Sequence, residues 1–473
     1  MLSSLLYLIN DIALGPGKRK VKQYLDAATR GVFYFYARHP FPTALQETQG
    51  AKLDFESFKR AALLTVFQAD SLLGTRELDW YWREDAAFFQ RAGISRVFSS
   101  IALPSVSCGS QQNIDVGAFN DAMDVLVMTG PQLINAVPSE DQLESGVRRL
   151  FAEGGRRVMR GQMVRRKDLS TVIDPMLRLR LREQTWGLYH PLGDIIEENC
   201  ECPGETKALV DFLAGNNSRE DVGVQQLSRV ADLLPNFLLR FQQLWTVLLQ
   251  PAESADITKL PVRGIELPHI TGIISFFAPH IDLDNVGRQR SNVQNTQITL
   301  NPLTSGTSGS LDATILHQSQ ALSNSVSAHV VLFTTAVDVG VGTLKTIIGG
   351  YFPTEGAHVL FQLQPSFRLL HSTKRNVSLA DLVKTESKLS DQTVGSEESS
   401  SLYWIGDPIA PGAGIRVDPK QRTARLARET GDCYTDVQVS SGEDSGGMSG
   451  DLTIHDARMD LFVVAGTGID KKS

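Results

Sequence analysis

The sequence predicts an α+β protein in which a helical N-terminal half precedes an antiparallel β-sandwich with flanking helices. Two observations support this fold class. Apolar side chains recur at helical spacing through the first 250 residues, and β-branched, apolar runs separated by turn residues follow residue 328. A chain of 473 residues is long enough for two or three domains. We therefore predict a helical region over 1–250 and a β domain over 258–473.

The first periodic stretch is LDFESFKRAALLTVFQADSLL, which we interpret as a helix. Its start resembles the entering helix of an EF-hand-like domain. A calcium loop needs oxygen ligands at alternate positions, a central glycine and a closing glutamate. Asp70, Gly74 and Glu77 do not provide that spacing. We expect a metal-free helical pair, with these residues on the apolar face of the helix: Phe55, Phe58, Ala62, Leu63 and Val66.

Two later stretches complete the helical half. EDQLESGVRRLFAEG has helical periodicity and ends at a glycine suited to a helix C-cap. VADLLPNFLLRFQQLWTVLLQP is the most apolar of the predicted helical stretches. Pro235 inside it predicts a break between a short helix and a longer one, because proline lacks the N–H that a helix interior uses. Pro251 marks its end.

Residues 148–182 form a basic segment in a chain whose net charge is −7. Such a segment could attract an acidic protein surface, an anionic membrane or nucleic acid. Phe151 is the one aromatic residue of the segment and none follows it through Arg182, which disfavours a platform for stacking bases. The alternative is a solvated segment, or one neutralised by partners, and both interpretations stay open. The candidate contact residues are Arg156, Arg157, Arg165 and Arg166.

Two segments of the C-terminal half are rich in Asn, Gln, Ser, Thr and Gly. They cover residues 283–328 and 385–401. Such compositions bury little apolar surface, and we predict long loops or partly disordered insertions there.

Short strands are predicted from residue 328 onward. The runs SAHVVLFTTAVD, TLKTIIGGYFPT and HVLFQLQPSFRLL come first, and SLYWIGDP, AGIRVDPK, TARLARET and DLTIHDARMDLFVVAG follow. Short runs separated by turns indicate an antiparallel sandwich. Gly349 and Gly350 inside the second run predict a bulge or a close approach of two backbones.

The order of these runs resembles the TLDc domain family. In that family a strand with a glycine-rich, aromatic element precedes a strand reading Phe-Leu-Phe-x-Leu, as in TLKTIIGGYFP and HVLFQLQPSF. SLYWIGDPIAPGAGIRVDP resembles the next aromatic strand, and ARMDLFVVAG resembles the closing strand. The motif residues that carry the resemblance are Gly349, Gly350, Tyr351, Phe361, Leu363, Trp404, Gly406, Asp460 and Phe462.

The chain also departs from the TLDc pattern. Asp460 stands where many members have Glu, and Phe462 stands where many have Trp. The Thr-Phe-x-Asn element that precedes the last strand in the family is not evident. With its helical first half, the chain is most similar to the fungal restriction-of-telomere-capping branch, which is related to oxidation resistance protein.

The resemblance implies a non-catalytic adaptor without a cofactor or bound metal. Members of the family bind the vacuolar proton-pumping ATPase, influence its assembly and act in oxidative-stress resistance. The expected partners are therefore V1 subunits of that pump, and the expected location is the cytoplasm, including the surface of the vacuolar membrane. A peripheral protein that uses segment 148–182 on a membrane or acidic surface is the alternative.

A remote alternative is a serine hydrolase. Asp444, Ser445, Gly446 and Gly447 spell the sequence that surrounds the nucleophile of chymotrypsin-like proteases. Such a nucleophile requires an imidazole base and an orienting carboxylate. No histidine of the chain stands in an Ala-His-Cys box, and the composition favours a surface turn. We expect Ser445 to lie in a connecting loop rather than to act as a nucleophile.

The cysteines and the N-terminus indicate an intracellular protein. Four scattered cysteines suit a reducing compartment better than a disulfide scaffold. Cys200 and Cys202 lack a second pair of ligands at metal-binding spacing and are expected in a loop. The apolar start of the chain has no preceding cation, and Gly does not follow Met1, so neither a signal peptide nor N-myristoylation is predicted.

Overall fold

The computed structural model contains both helices and antiparallel sheets, so the predicted α+β class is confirmed. The residues that it describes are 32–33, 35–37, 61–62, 64–65, 86–102, 119, 122–123, 139–154, 163–186, 190–196, 204–215, 221–223, 227, 230–250, 268–277, 298–302, 311, 328–338, 343–353, 357–375, 383–385, 402–406, 414–427, 434–437 and 451–466.

The helices and strands of the described residues are given in chain order. The helices are α1 (Ala86–Ile101), α2 (Glu140–Gly154), α3 (Arg166–Leu177), α4 (Gly204–Ala214), α5 (Val230–Leu233), α6 (Phe237–Leu248) and α7 (Pro268–Phe277). The first eight strands are β1 (Met163–Arg165), β2 (Leu179–Trp186), β3 (His190–Ile195), β4 (Asp221–Gly223), β5 (Ile298–Pro302), β6 (Ala328–Asp338), β7 (Thr343–Phe352) and β8 (Ala357–Gln364). The last eight are β9 (Arg368–Arg375), β10 (Val383–Thr385), β11 (Tyr403–Gly406), β12 (Gly414–Asp418), β13 (Thr423–Leu426), β14 (Tyr434–Val437), β15 (Leu452–Ile454) and β16 (Arg458–Gly466).

The chain divides into two compact units. The first contains residues 1–197, 218–260 and 286–295, and the second contains residues 198–217, 261–285 and 296–473. Helix α4 therefore folds with the second unit, where it packs against β8, although its sequence lies inside the predicted helical region 1–250.

Helix α6 forms the centre of the first unit. It begins two residues after Pro235, so the predicted break at this proline is confirmed. Almost every side chain of α6 is buried, and the ring of Phe237 lies 5.5 Å from that of Phe98 on α1. Helix α2 spans the whole predicted stretch 140–154. Strand β2 begins at Leu179, and the partly exposed Arg180 lies between the buried Leu179 and Leu181, which is the alternation of a strand.

Arg240 on α6 is a buried cation at the centre of the first unit, with 3 % of its surface exposed. Its Nη2 donates hydrogen bonds of 3.1 Å to the carbonyl oxygens of Met176 and Leu179. Met176 lies in the last turn of α3, where a helix leaves its carbonyls without backbone donors, and Leu179 is the first residue of β2. Burial lowers the pKa of Arg240 to about 10. The guanidinium therefore fastens the end of α3 onto α6.

Two antiparallel sheets build the second unit. Seven of the described strands form the large sheet in the order β14-β9-β8-β7-β6-β16-β5, and five form the small sheet in the order β10-β11-β12-β13-β15. One hydrophobic core contains side chains from both sheets, including Phe333 and Met459 from the large one and Ile405 and Val417 from the small one. This is the sandwich that the sequence predicts.

The segment 283–328 was expected to be a loop, and its described part differs from that expectation. Residues 298–302 form β5, an edge strand that pairs with β16 from Phe462 to Gly466. The stretch ITLNP contains β-branched and apolar residues, which favour a strand. Strand β10 likewise includes Thr385, the first residue of the second predicted insertion.

Candidate functional site

The motif residues of β7 lie in the middle of the large sheet. Gly349 pairs with Leu332 on β6 and with Phe361 on β8. A Cβ at Gly349 would lie 2.3 Å from the carbonyl oxygen of Val331 and 2.9 Å from the ring of Phe361. The close backbone approach expected at these glycines is therefore present, and the pairing of β7 with β8 shifts register between Ile347 and Ile348.

Gly350 occupies the opposite face of β7. A Cβ at this position would lie 2.7 Å from the ring of Phe352 and 3.0 Å from Leu360, which both belong to the core between the sheets. The two glycines thus make room on both faces of one strand. Both faces are packed, which is the environment in which only a residue without a side chain fits.

An aromatic cluster covers the other face of the large sheet. The ring of Phe277 on α7 lies 6.3 Å from that of Tyr351 and 5.9 Å from that of Phe361. Phe462 pairs in register with Val330, which pairs with Tyr351, so these three residues share that face. Burial raises the pKa of the Tyr351 hydroxyl above its ordinary value. Leu363, two residues after Phe361 on β8, is also fully buried. Tyr351 and Phe361 thus pack against α7 through Phe277.

Asp460 is the acidic motif residue and lies in the same row as Gly349. It pairs with Leu332, which in turn pairs with Gly349. Asp460 is half-buried, and this burial raises the pKa of its carboxyl, an effect opposed by the nearby charge of Arg458. Burial therefore favours the protonated, uncharged form of this carboxyl.

Trp404 and Gly406 lie on the small sheet, away from the cluster around Tyr351. Their neighbours Tyr403 and Ile405 point into the core, so Trp404 and Gly406 belong to the outer face. Gly406 pairs with Gly414, which has a φ of +149°. A Cβ at Gly414 would lie 2.6 Å from the carbonyl oxygen of Ile405, so both the backbone angle and the space require glycine. The guanidinium of Arg416 stacks 5.0 Å above the ring of Trp404.

The described part of the basic segment is rich in ion pairs. Arg165 Nε donates to Asp168 Oδ2 at 2.6 Å, and this hydrogen bond is the main reason that the pKa of Arg165 is raised. Arg178 is buried and pairs with Asp174. Arg180 binds Asp194 through two hydrogen bonds of 2.7 and 2.5 Å.

Two of the carboxylates that pair with arginines of the basic segment lie outside it. Arg148 pairs with Glu144 at 3.2 Å, and Asp194 likewise lies beyond residue 182. Arg166 begins α3 and is half-buried. Arg156 and Arg157 lie outside the described residues, as do Ser445, Cys200 and Cys202. Asp70, Gly74 and Glu77 of the predicted metal-free helical pair also lie outside the described residues.

Sequence reasoning missed a polar pair inside the core of the second unit. His358 Nε2 and Tyr434 Oη are hydrogen-bonded at 2.8 Å, and the imidazole stacks on Phe352 with centroids 5.5 Å apart. Nothing in the local sequence signals this pair, because the two residues are 76 positions apart. Among the described residues, no group of three or more His, Cys, Asp or Glu side chains could hold a metal ion.

The described helices include none with both the length and the apolar character that a bilayer crossing requires. Comparison with protein-family models, with curated proteins and with solved structures finds no match to this chain.

Proposed function

We propose that this protein is a non-catalytic adaptor of the TLDc type that binds the vacuolar proton-pumping ATPase and influences its assembly. In this proposal the second unit is the TLDc domain, and the helical region before it contains a metal-free EF-hand-like pair. The protein acts in the cytoplasm and at the surface of the vacuolar membrane, with a role in oxidative-stress resistance.

The observation that carries the proposal is the structural use of the motif residues. Gly349, Tyr351, Phe361 and Phe462 are all buried. Tyr351 and Phe361 pack the sheet against α7, and Gly349 allows the close approach of β6. A motif that specifies a rigid scaffold, rather than a group of reactive side chains, suits a protein that presents its surface to large partners. The assignment to the TLDc type itself rests on the sequence resemblance.

Binding of the full chain to purified V1 sector tests the proposal. We expect the tagged chain to co-elute with V1 in size-exclusion chromatography and to change the fraction of pump that is assembled in isolated vacuoles. The full chain is the right reagent, because a fragment that begins at residue 258 would lack α4, which packs against β8 of the second unit.

Two outcomes would contradict the adaptor function. One is failure to co-elute with V1 under conditions in which an established V1 ligand does so. The other is hydrolysis of an activated ester by the purified chain that is abolished by Ser445→Ala, which would support the serine hydrolase alternative. Flotation with anionic liposomes in the absence of V1 would favour the peripheral membrane alternative, and charge reversal at Arg165 and Arg166 would then abolish it.

A further inference from the structure

The hairpin formed by β12 and β13 carries an excess of exposed cations on the outer face of the small sheet. Within residues 414–427 the acidic residue is Asp418, and the exposed cations are Arg416, Lys420, Arg422 and Arg425. This arrangement contrasts with the net charge of −7 of the whole chain. We call residues 414–427 the basic hairpin.

The register of the small sheet aligns these cations with Trp404. Trp404 pairs with Arg416, Arg416 with Arg425, and Arg425 with Thr453, so the four residues form one row across β11, β12, β13 and β15. Their neighbours along each strand, such as Ile415 and Leu426, belong to the core. The row is therefore held at fixed spacing by the sheet beneath it.

Three of the described acids contact residues of the basic hairpin. Asp418 Oδ1 accepts hydrogen bonds from the backbone N–H groups of Lys420 and Gln421 at 2.9 and 3.0 Å. Asp451 pairs with Arg425, and Asp456 lies 3.9 Å from Arg422. Arg425 nevertheless keeps 48 % of its side chain exposed, and Arg422 keeps 55 %. These guanidiniums can accept a further acidic partner while they hold their internal one.

Trp404 adds a hydrogen-bond donor to the row. Its side chain is 7 % exposed, and its Nε1 is buried without a hydrogen-bond partner among the residues that the structure describes. A buried N–H group without an acceptor destabilises the folded protein, and an acceptor that reaches it removes that cost. Arg416, stacked on the ring, and the indole N–H together favour a ligand made of acceptor oxygens.

We propose that the outer face of the small sheet, centred on the basic hairpin and Trp404, binds an acidic segment of a partner protein. Carboxylates of that segment would bind Arg416 and Lys420, and one acceptor oxygen would reach Trp404 Nε1. The inference rests on the proposed adaptor function and names the surface that it uses. The exposed side chains of the row are Arg416, Arg425 and Thr453, and Arg416 covers the ring of Trp404. The row therefore lacks the exposed apolar side chains that insert into a membrane. For the same reason it lacks an exposed ring on which bases could stack.

Fluorescence anisotropy with a labelled ten-residue oligoglutamate peptide tests this surface, with oligoglutamine of equal length as the uncharged probe. We expect the full chain to bind oligoglutamate at low salt and not oligoglutamine. The variant R416E/K420E should weaken binding at least tenfold, and it leaves the pairs of Arg422 and Arg425 in place. The matched control is R165E/K167E, which reverses two exposed cations of the basic segment and should change the affinity less than twofold.

A second variant, Trp404→Phe, tests the donor without changing the charge. Phenylalanine keeps a ring beneath Arg416 but removes the indole N–H, and we expect an affinity about threefold weaker. Hydrogen exchange of β11 and β12 should match the parent chain, which would show that the sheet is intact.

Several results would overturn the inference. One is that the two charge-reversal variants lose binding equally, or that only R165E/K167E loses it. Another is that the parent chain does not bind oligoglutamate, whether or not it binds phosphatidylserine vesicles. The peptide assay contains no ATPase subunit, so its failure leaves the adaptor function standing. Failure to bind V1 with peptide binding intact would instead contradict the adaptor function alone.

Discussion

Replacement of Gly349 by alanine should destabilise the second unit selectively. The new Cβ would lie 2.3 Å from the Val331 carbonyl oxygen, whereas Cβ atoms essentially never come within 3.0 Å of another heavy atom of this kind. Overpacking costs about 1–3 kcal/mol, and a backbone obstacle places this case near the upper limit. The lower entropy of the unfolded alanine chain offsets about 0.4–1 kcal/mol. The net loss is therefore about 2 kcal/mol, or about a 30-fold shift in the unfolding equilibrium.

Hydrogen exchange measured by mass spectrometry provides the assay, because it reports on each unit separately. Peptides from β6 and β7 should exchange about 30-fold faster in the Gly349→Ala variant under conditions in which exchange follows the opening equilibrium. Gly204→Ala is the matched control in the same unit. Its Cβ would lie 2.7 Å from Gln364 Nε2, the far end of a flexible side chain that can move away. Equal exchange in the two variants would refute the argument that β6 and β7 approach too closely for a side chain.

Two other predictions concern charged groups. Arg240→Leu leaves the Met176 and Leu179 carbonyls without this donor, at a cost of about 1–3 kcal/mol each. Removal of a buried charge offsets part of that cost, so the first unit should lose about 2–4 kcal/mol of stability, measured by hydrogen exchange of α3 and α6 peptides. Unchanged exchange there would contradict the role of Arg240 at the end of α3. Asp460→Asn should raise the melting temperature at pH 7, because burial raises the carboxyl pKa in the folded state and makes the ionised form unfavourable. The folded state then binds more protons than the unfolded state above the ordinary pKa of 3.8, so the parent chain loses stability as pH rises through the folded pKa. The gain from Asn should vanish below pH 3.8, and a gain independent of pH would refute this explanation.

The sequence predicted those features that depend on neighbouring residues. The break at Pro235 follows from the chemistry of one residue, and the extent of α2 follows from local periodicity. The approach of backbones at Gly349 was also predictable, since a glycine inside a strand has few other uses.

Features that depend on distant residues were not predictable in the same way. The basic segment gains Asp194 as a partner only because β2 and β3 form a hairpin with Arg180 opposite that residue. The row that joins Trp404 to Arg416 and Arg425 exists only in the register of the small sheet. Strand β5 pairs with β16, which lies more than 150 positions later in the chain. The segment around β5 is polar, so its composition predicts a loop rather than a strand.

The side chain of Gln250 has a consequence for the solubility of the protein. Its amide accepts a hydrogen bond of 3.1 Å from the backbone N–H of Gly193 and donates one of 2.9 Å to the Gly193 carbonyl oxygen. These are the two backbone groups through which a strand from another molecule would add to β3. An open strand edge of this kind favours aggregation, and proteins commonly cover or disrupt such edges. At Gly193 the glutamine thus occupies the place of a neighbouring strand and blocks intermolecular pairing at that residue.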